Sequence, residues 1–137
     1  MKLRLAAAAA MVTVTAGAGL ITALPASANS GGGCGPTHEV DGMLVQVCIS
    51  SSGTSLQASV YTREDGHNSV DMTLTVVNTD TGQTVGNAGK QGRIVDTHQG
   101  SLVGPWAGVP VGHYSAHATF RSPTYFDAGW SPTLYIG

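Results

Sequence analysis

The amino-acid sequence predicts an all-β fold, an antiparallel sandwich of about seven to eight short strands. Three observations carry this prediction. Apolar and polar residues alternate in several runs, most cleanly where Val70, Met72, Leu74 and Val76 fall on one face and Asp71, Thr73 and Thr75 on the other. Turn residues interrupt these runs about every 8 to 15 residues. Helical periodicity is missing beyond residue 28, so two sheets packed face to face, rather than a barrel, are the favoured architecture.

The first 28 residues are set apart from the fold. Lys2 and Arg4 give a short basic start, residues 5–24 are uncharged and rich in Ala, Val, Thr, Gly and Leu, and Ala26, Ser27 and Ala28 form an A-x-A cleavage site. This is the pattern of a secretory signal peptide over residues 1–28, leaving residues 29–137 as one domain, with no membrane attachment expected once the leader is removed. Taking 28 from 137 leaves 109 residues, enough for a single modest core. Arg63, Lys90, Arg93 and Arg121 then stand against eight carboxylates, a net charge of −4. That sign, and the lack of a basic cluster, exclude a nucleic-acid binder.

Cys34 and Cys48 are the only cysteines. In an oxidising compartment an even count reads as a disulfide. If Val40, Asp41 and Gly42 make a three-residue hairpin loop, Glu39 faces Met43, and the same register sets Cys34 opposite Cys48. A redox-active pair would more usually be a C-x-x-C, which is absent.

Met43, Val45, Val47 and Ile49 give the next strand an aliphatic face. After a polar turn over residues 50–54, Leu56, Ala58 and Val60 repeat the alternation. The turn 62–68, TREDGHN, leads to the strand that starts at Val70; NTDTG at 78–82 is a turn, and 83–85 a short return. Residues 86–92, GNAGKQG, are expected as a loop, 93–97 as a weaker strand, and 99–112 as irregular chain with Trp106 its only large apolar group. In residues 109–120, VPVGHYSAHATF, Tyr114, Ala116, Ala118 and Phe120 share one face and His113, Ser115, His117 and Thr119 the other. Residues 122–131, SPTYFDAGWS, are expected as a loop between Pro123 and Pro132, before a last strand over 133–136.

Pro110, Gly112 and Tyr114 carry a resemblance. The placement of a tyrosine two residues past the glycine, at the start of a strand, resembles the tyrosine corner of immunoglobulin-like and fibronectin type III sandwiches. It implies an immunoglobulin-like architecture and carries no activity with it.

Five histidines invite a metal site. His113 and His117 lie about 13 Å apart along a strand, too far for one zinc, and Asp96 with His98 would need partners from elsewhere. No metal or cofactor is expected. No G-x-S-x-G elbow occurs, and both cysteines are expected to be oxidised, so nucleophilic catalysis has no signature here.

Counting strand reversals brings the loops 62–68 and 122–131 to the same end of the sandwich. That end would gather Arg63, Glu64, Asp65 and His67 beside Tyr125, Phe126 and Trp130, rigid amphipathic rings of the kind binding loops favour. The leading expectation is a secreted, monomeric, non-catalytic binding protein acting through Arg63, His67, Tyr125, Phe126 and Trp130, its partner an extracellular protein or a cell-envelope glycan. A small extracellular hydrolase drawing an acid–base group from His67, Glu64, Asp65 and Asp127 is the alternative. A structural envelope protein is the third reading. Trp106 is expected at the opposite end, as a contributor to stability rather than binding.

Overall fold

A strand that must bury one face and wet the other needs partners on both its edges and a second layer beneath it, and the chain meets both needs with short pieces. The computed structural model describes residues 29–122 and 125–137; the leader expected over residues 1–28 lies outside them, as does Pro123. In chain order the strands are β1 (Ser30–Gly31), β2 (Gly33–Cys34), β3 (His38–Val40), β4 (Met43–Ser52), β5 (Ser55–Arg63), β6 (Val70–Asn78) and β7 (Gln83–Thr84). Then follow β8 (Lys90–Ile94), β9 (Gln99–Val103), β10 (Ala107–Gly108), β11 (Gly112–Ser122), β12 (Phe126–Trp130) and β13 (Leu134–Ile136). The protein is all-β, a sandwich of two antiparallel sheets. In one, β6 and β11 are central, with β7 and β8 along the far edge of β6, β12 and β13 along the far edge of β11, and β1 beyond β13. In the other, β4 and β5 are central, flanked by β2 and β3 on one side and by β9 and β10 on the other.

The inward faces are those that the alternation predicts. Val45, Val47, Ile49, Leu56, Ala58 and Val60 of one sheet meet Val70, Met72, Leu74, Val76, Tyr114, Ala116, Ala118 and Phe120 of the other, all buried, and Leu134 and Ile136 extend the contact. Each fully buried aliphatic side chain contributes about 1.5–3 kcal/mol relative to its exposed state.

The first hairpin departs from the expected register. Asp41 and Gly42 both take positive φ, 51° and 81°, and close a two-residue turn that sets Val40 opposite Met43. An Asp-Gly pair favours this type I′ geometry because its twist matches that of the strands. The displaced residue is made up beyond β3: Gly35 N–H still bonds Val47 O at 2.9 Å in the outer register, whereas His38 faces Val45 in the inner one. Pro36, with no N–H to give the ladder, lies at the shift. Cys34 still falls opposite Cys48, and the two form a disulfide with Cα atoms 4.0 Å apart.

Further expectations change; within 99–112, expected to be irregular, β9 and β10 pair with β5. Lys90, Gln91 and Gly92, expected in a loop, pair with β6, whose nine residues would otherwise leave an open edge beyond β7. The segment expected as the loop 122–131 contains β12, which pairs with β11 so that Phe120 faces Phe126 and His117 faces Trp130. A bulge between Ala118 and Thr119 explains why alternation hides this strand. The extra residue turns Trp130 to the outer face, although Phe126 and Ala128, at the same parity, face inward. Gly129 permits the bulge: its φ is 103°, and a Cβ there would lie 2.7 Å from the His38 ring. Finally, Trp106 stands 51% exposed. It follows Pro105 and is not part of the core cluster, so the contribution to stability expected of it has no deep burial behind it.

Candidate functional site

The pairings Arg63 with Leu44, Arg63 with Gln99, Val70 with Ile94 and Phe120 with Phe126 bring four chain reversals to one end of the sandwich. The 62–68 loop and the β11–β12 hairpin are two of them, and the Asp41-Gly42 turn and residues 95–98 are the others. Between them the sandwich opens into a cavity of about 420 Å³, lined by Asp41, Met43, Glu64, Asn68, Ser69, Val70, Thr97, Phe120 and Phe126. Its floor is the end of the apolar core, where Phe120 and Phe126 meet edge to face with ring centres 6.2 Å apart. Its walls are polar.

The walls are tied together by side chains far apart in sequence. Thr97, a buried residue, donates its hydroxyl to the Glu64 carboxylate, and Asn68 Nδ2 donates to the same oxygen at 2.7 Å. Thr97 N–H bonds the Asn68 carbonyl at 2.9 Å, and His98 Nδ1 lies 2.7 Å from the Glu64 carbonyl. These bonds hold the Glu64 carboxyl below its ordinary range, chiefly through Thr97 and then Asn68. Glu64 is therefore an ionised acceptor.

Three of the five histidines are paired with aspartates outside the cavity lining. His67 Nδ1 is 3.1 Å from Asp96, His113 Nδ1 is 3.0 Å from Asp80, and His117 Nε2 is 3.0 Å from Asp127. His113 and His117, excluded above as one metal pair, thus each have their own carboxylate. Among the described residues no group of three or more His, Cys, Asp or Glu could hold a metal ion.

Of the residues singled out from sequence, Phe126 lines the cavity. Arg63 lines an adjoining groove with Glu39, Gly42, Leu44, Glu64 and Asp65. Tyr125 is exposed, and His67 stands in the open with Asp96 beside the His98 ring, 4.7 Å away. Trp130 lies on the outer sheet face, stacked on His117 with ring centres 4.2 Å apart and planes 16° apart. The polar contacts of His67, Glu64 and Asp127 point to three different places: Asp96, then Thr97 and Asn68, then His117. Asp41, Met43, Thr97 and Phe120 were not anticipated as site residues. The strand-reversal count that joined the two loops also places the Asp41-Gly42 turn with them; no comparable signal marks Thr97.

Acid should weaken this lacing. The Asp80 carboxyl lies below its ordinary value because of the His113 N–H and then the His113 ring, and the Asp96 carboxyl because of the His98 N–H and then His67. For Asp127 burial pushes upward, but the Gly129 N–H and His117 more than offset it. With Glu64 these make four carboxyls whose folded values are depressed. Their contribution is complete above the unfolded carboxylate range, near about 4, and is lost as pH falls through the folded values. Melting temperature is therefore expected to hold steady on acidification toward about pH 5 and to drop below about pH 4. Circular-dichroism melts across that range check this, and an acid-insensitive Tm would contradict it.

No known protein-family model matches the chain, and no curated protein is similar to it.

Proposed function

We propose that the chain is a secreted, non-catalytic binding protein with an immunoglobulin-like strand order, which engages an extracellular protein or a cell-envelope glycan through the loop end. The observation that carries the reading is the cavity at that end, where an apolar floor and polar walls converge between separate loops. Arg63, His67 and Tyr125 supply exposed contacts around it, Phe126 its floor, and Trp130 a half-exposed ring on the adjoining face. The disulfide and the A-x-A leader fit an extracellular address.

Two features support the strand order. β5 neighbours β9 and β10 in one sheet while β6 neighbours β11 in the other, so the chain passes between sheets after β1, after β5, after β8 and after β10. At the last of these crossings Tyr114, at the start of β11, donates its hydroxyl to the Pro110 carbonyl at 2.7 Å, the bond of a tyrosine corner. Counted by position rather than by fragment, each sheet has a central pair and two flanking edges, with β1 added outside β13.

The test is capture of a partner from the producing organism's own extracellular proteins and wall. Tyr125→Ala combined with Arg63→Ala is expected to weaken the captured partner by about 30-fold or more, the effect of losing a contact worth about 2 kcal/mol, with little change in Tm. Trp106→Ala is expected to leave binding intact. Equal losses from both ends would contradict the assignment.

A further inference from the structure

We propose that the end cavity takes a cation carried on an apolar stem, namely the side chain of a lysine or arginine projecting from a protein partner. The inference rests on the reading that the loop end binds, and it names what enters.

The cavity joins two chemistries that few ligand groups satisfy together. Met43, Val70, Phe120 and Phe126 form an apolar floor continuous with the core, suited to methylene groups. Asp41 and Glu64 line the same space, and among the described residues no lysine or arginine does. Arg93 reaches the Ser69 hydroxyl at 3.2 Å, but its charge is already matched by Asp71, with Nε 2.9 Å and Nη2 3.0 Å from the two carboxylate oxygens. Arg63 lies in the adjoining groove.

Glu64 adds direction. The side chains of Thr97 and Asn68 both donate to its Oε1, so the carboxylate is held in one orientation at the cavity wall. The same two bonds keep the group ionised. A neutral apolar occupant would strip water from this carboxylate and offer nothing in return, which is costly, and an anion would be repelled. An ammonium or guanidinium replaces that water with charged donors while its stem covers the floor. At about 420 Å³ the space lies within the range of ligand sites and accommodates a whole side chain.

The test is a nuclear magnetic resonance titration of the secreted protein with hexylammonium, 1-hexanol and hexanoate at low ionic strength, followed by Nα-acetyl-lysine methylamide and its norleucine counterpart. Hexylammonium is expected to shift the amides of Met43, Thr97 and Phe126 and to bind about tenfold more tightly than 1-hexanol, with hexanoate weakest. Salt should reduce that preference. Glu64→Gln should bring hexylammonium close to hexanol. Asp41→Asn should narrow the gap without disturbing the fold, because Asn-Gly supports the same type I′ turn. The lysine derivative is expected to behave as hexylammonium does and the norleucine derivative as hexanol does.

Equal binding of hexylammonium and hexanol in the cavity would overturn the inference while leaving loop-end binding intact. Binding of hexylammonium without the lysine derivative would overturn the protein source. No shift from any probe, alongside capture that still depends on Tyr125 and Arg63, would show that partners use the loops and not the cavity. No shift together with capture indifferent to those residues would remove both readings.

Discussion

Tyr114→Ala is expected to cost about 3–5 kcal/mol of stability, the range for large buried aromatics, and Tyr114→Phe about 1–2 kcal/mol. The side chain is 1% exposed and fills the space between the sheets at the start of β11. Alanine would leave a hole bounded by strands of both sheets, whose registers prevent collapse around it. Phenylalanine keeps the packing and removes the hydroxyl, with its bond to the Pro110 carbonyl, 2.7 Å away, and its interaction with the Asn78 side chain. Urea denaturation of the three proteins separates the two contributions, and for a domain of this size each kcal/mol should appear as a Tm shift of about 4–8 °C. A phenylalanine variant as stable as the parent would mean that the corner bond does nothing to hold the crossing into β11.

Loss of the Cys34–Cys48 link is expected to cost about 3 kcal/mol, since it closes a loop of 14 residues and so restricts the unfolded chain. β2 is only two residues long and leans on β4. Without the link it has two ladder positions and little apolar burial to hold it. Mass spectrometry under non-reducing conditions should find no free thiol, and the Cys34→Ala/Cys48→Ala variant should show the loss in urea denaturation. Neither cysteine lines the cavity at the loop end, to which β4 contributes only Met43 at its start, so binding by the folded variant is expected to persist. Binding lost in proportion to thiol formation would instead tie the disulfide to activity.

What could be read from the sequence follows from what is periodic. Val70, Met72, Leu74 and Val76 declare a face because a strand with one buried side repeats every second residue, and the same holds for the strands around Val47, Val60 and Ala116. β12 escaped because its bulge changes parity in mid-strand. With Gly129 at the change, FDAGW looks like loop. The cysteine pairing survived a wrong turn length because the type I′ turn and the shift near Pro36 cancel. Trp106 shows the opposite failure: a large apolar side chain carries no statement of its exposure.

The site divides in the same way. That two loops share an end is a matter of counting reversals, and the structure agrees. That Thr97 reaches across 33 residues to fix Glu64, or that Phe120 and Phe126 leave a cavity between the sheets, depends on side-chain directions at the end of a twisted sandwich. Nothing in local sequence encodes those.

Which end of the sandwich touches a partner is open to direct measurement. A photoreactive benzoyl-phenylalanine placed at Tyr125, or at Trp106 in a second protein, puts a cross-linker at each end on a side chain already exposed to solvent, 68% and 51% respectively. After irradiation among the producing organism's extracellular proteins and wall material, the Tyr125 protein is expected to yield a discrete adduct and the Trp106 protein none. An adduct from position 106 alone, or the same adduct from both, would contradict the assignment of binding to the loop end.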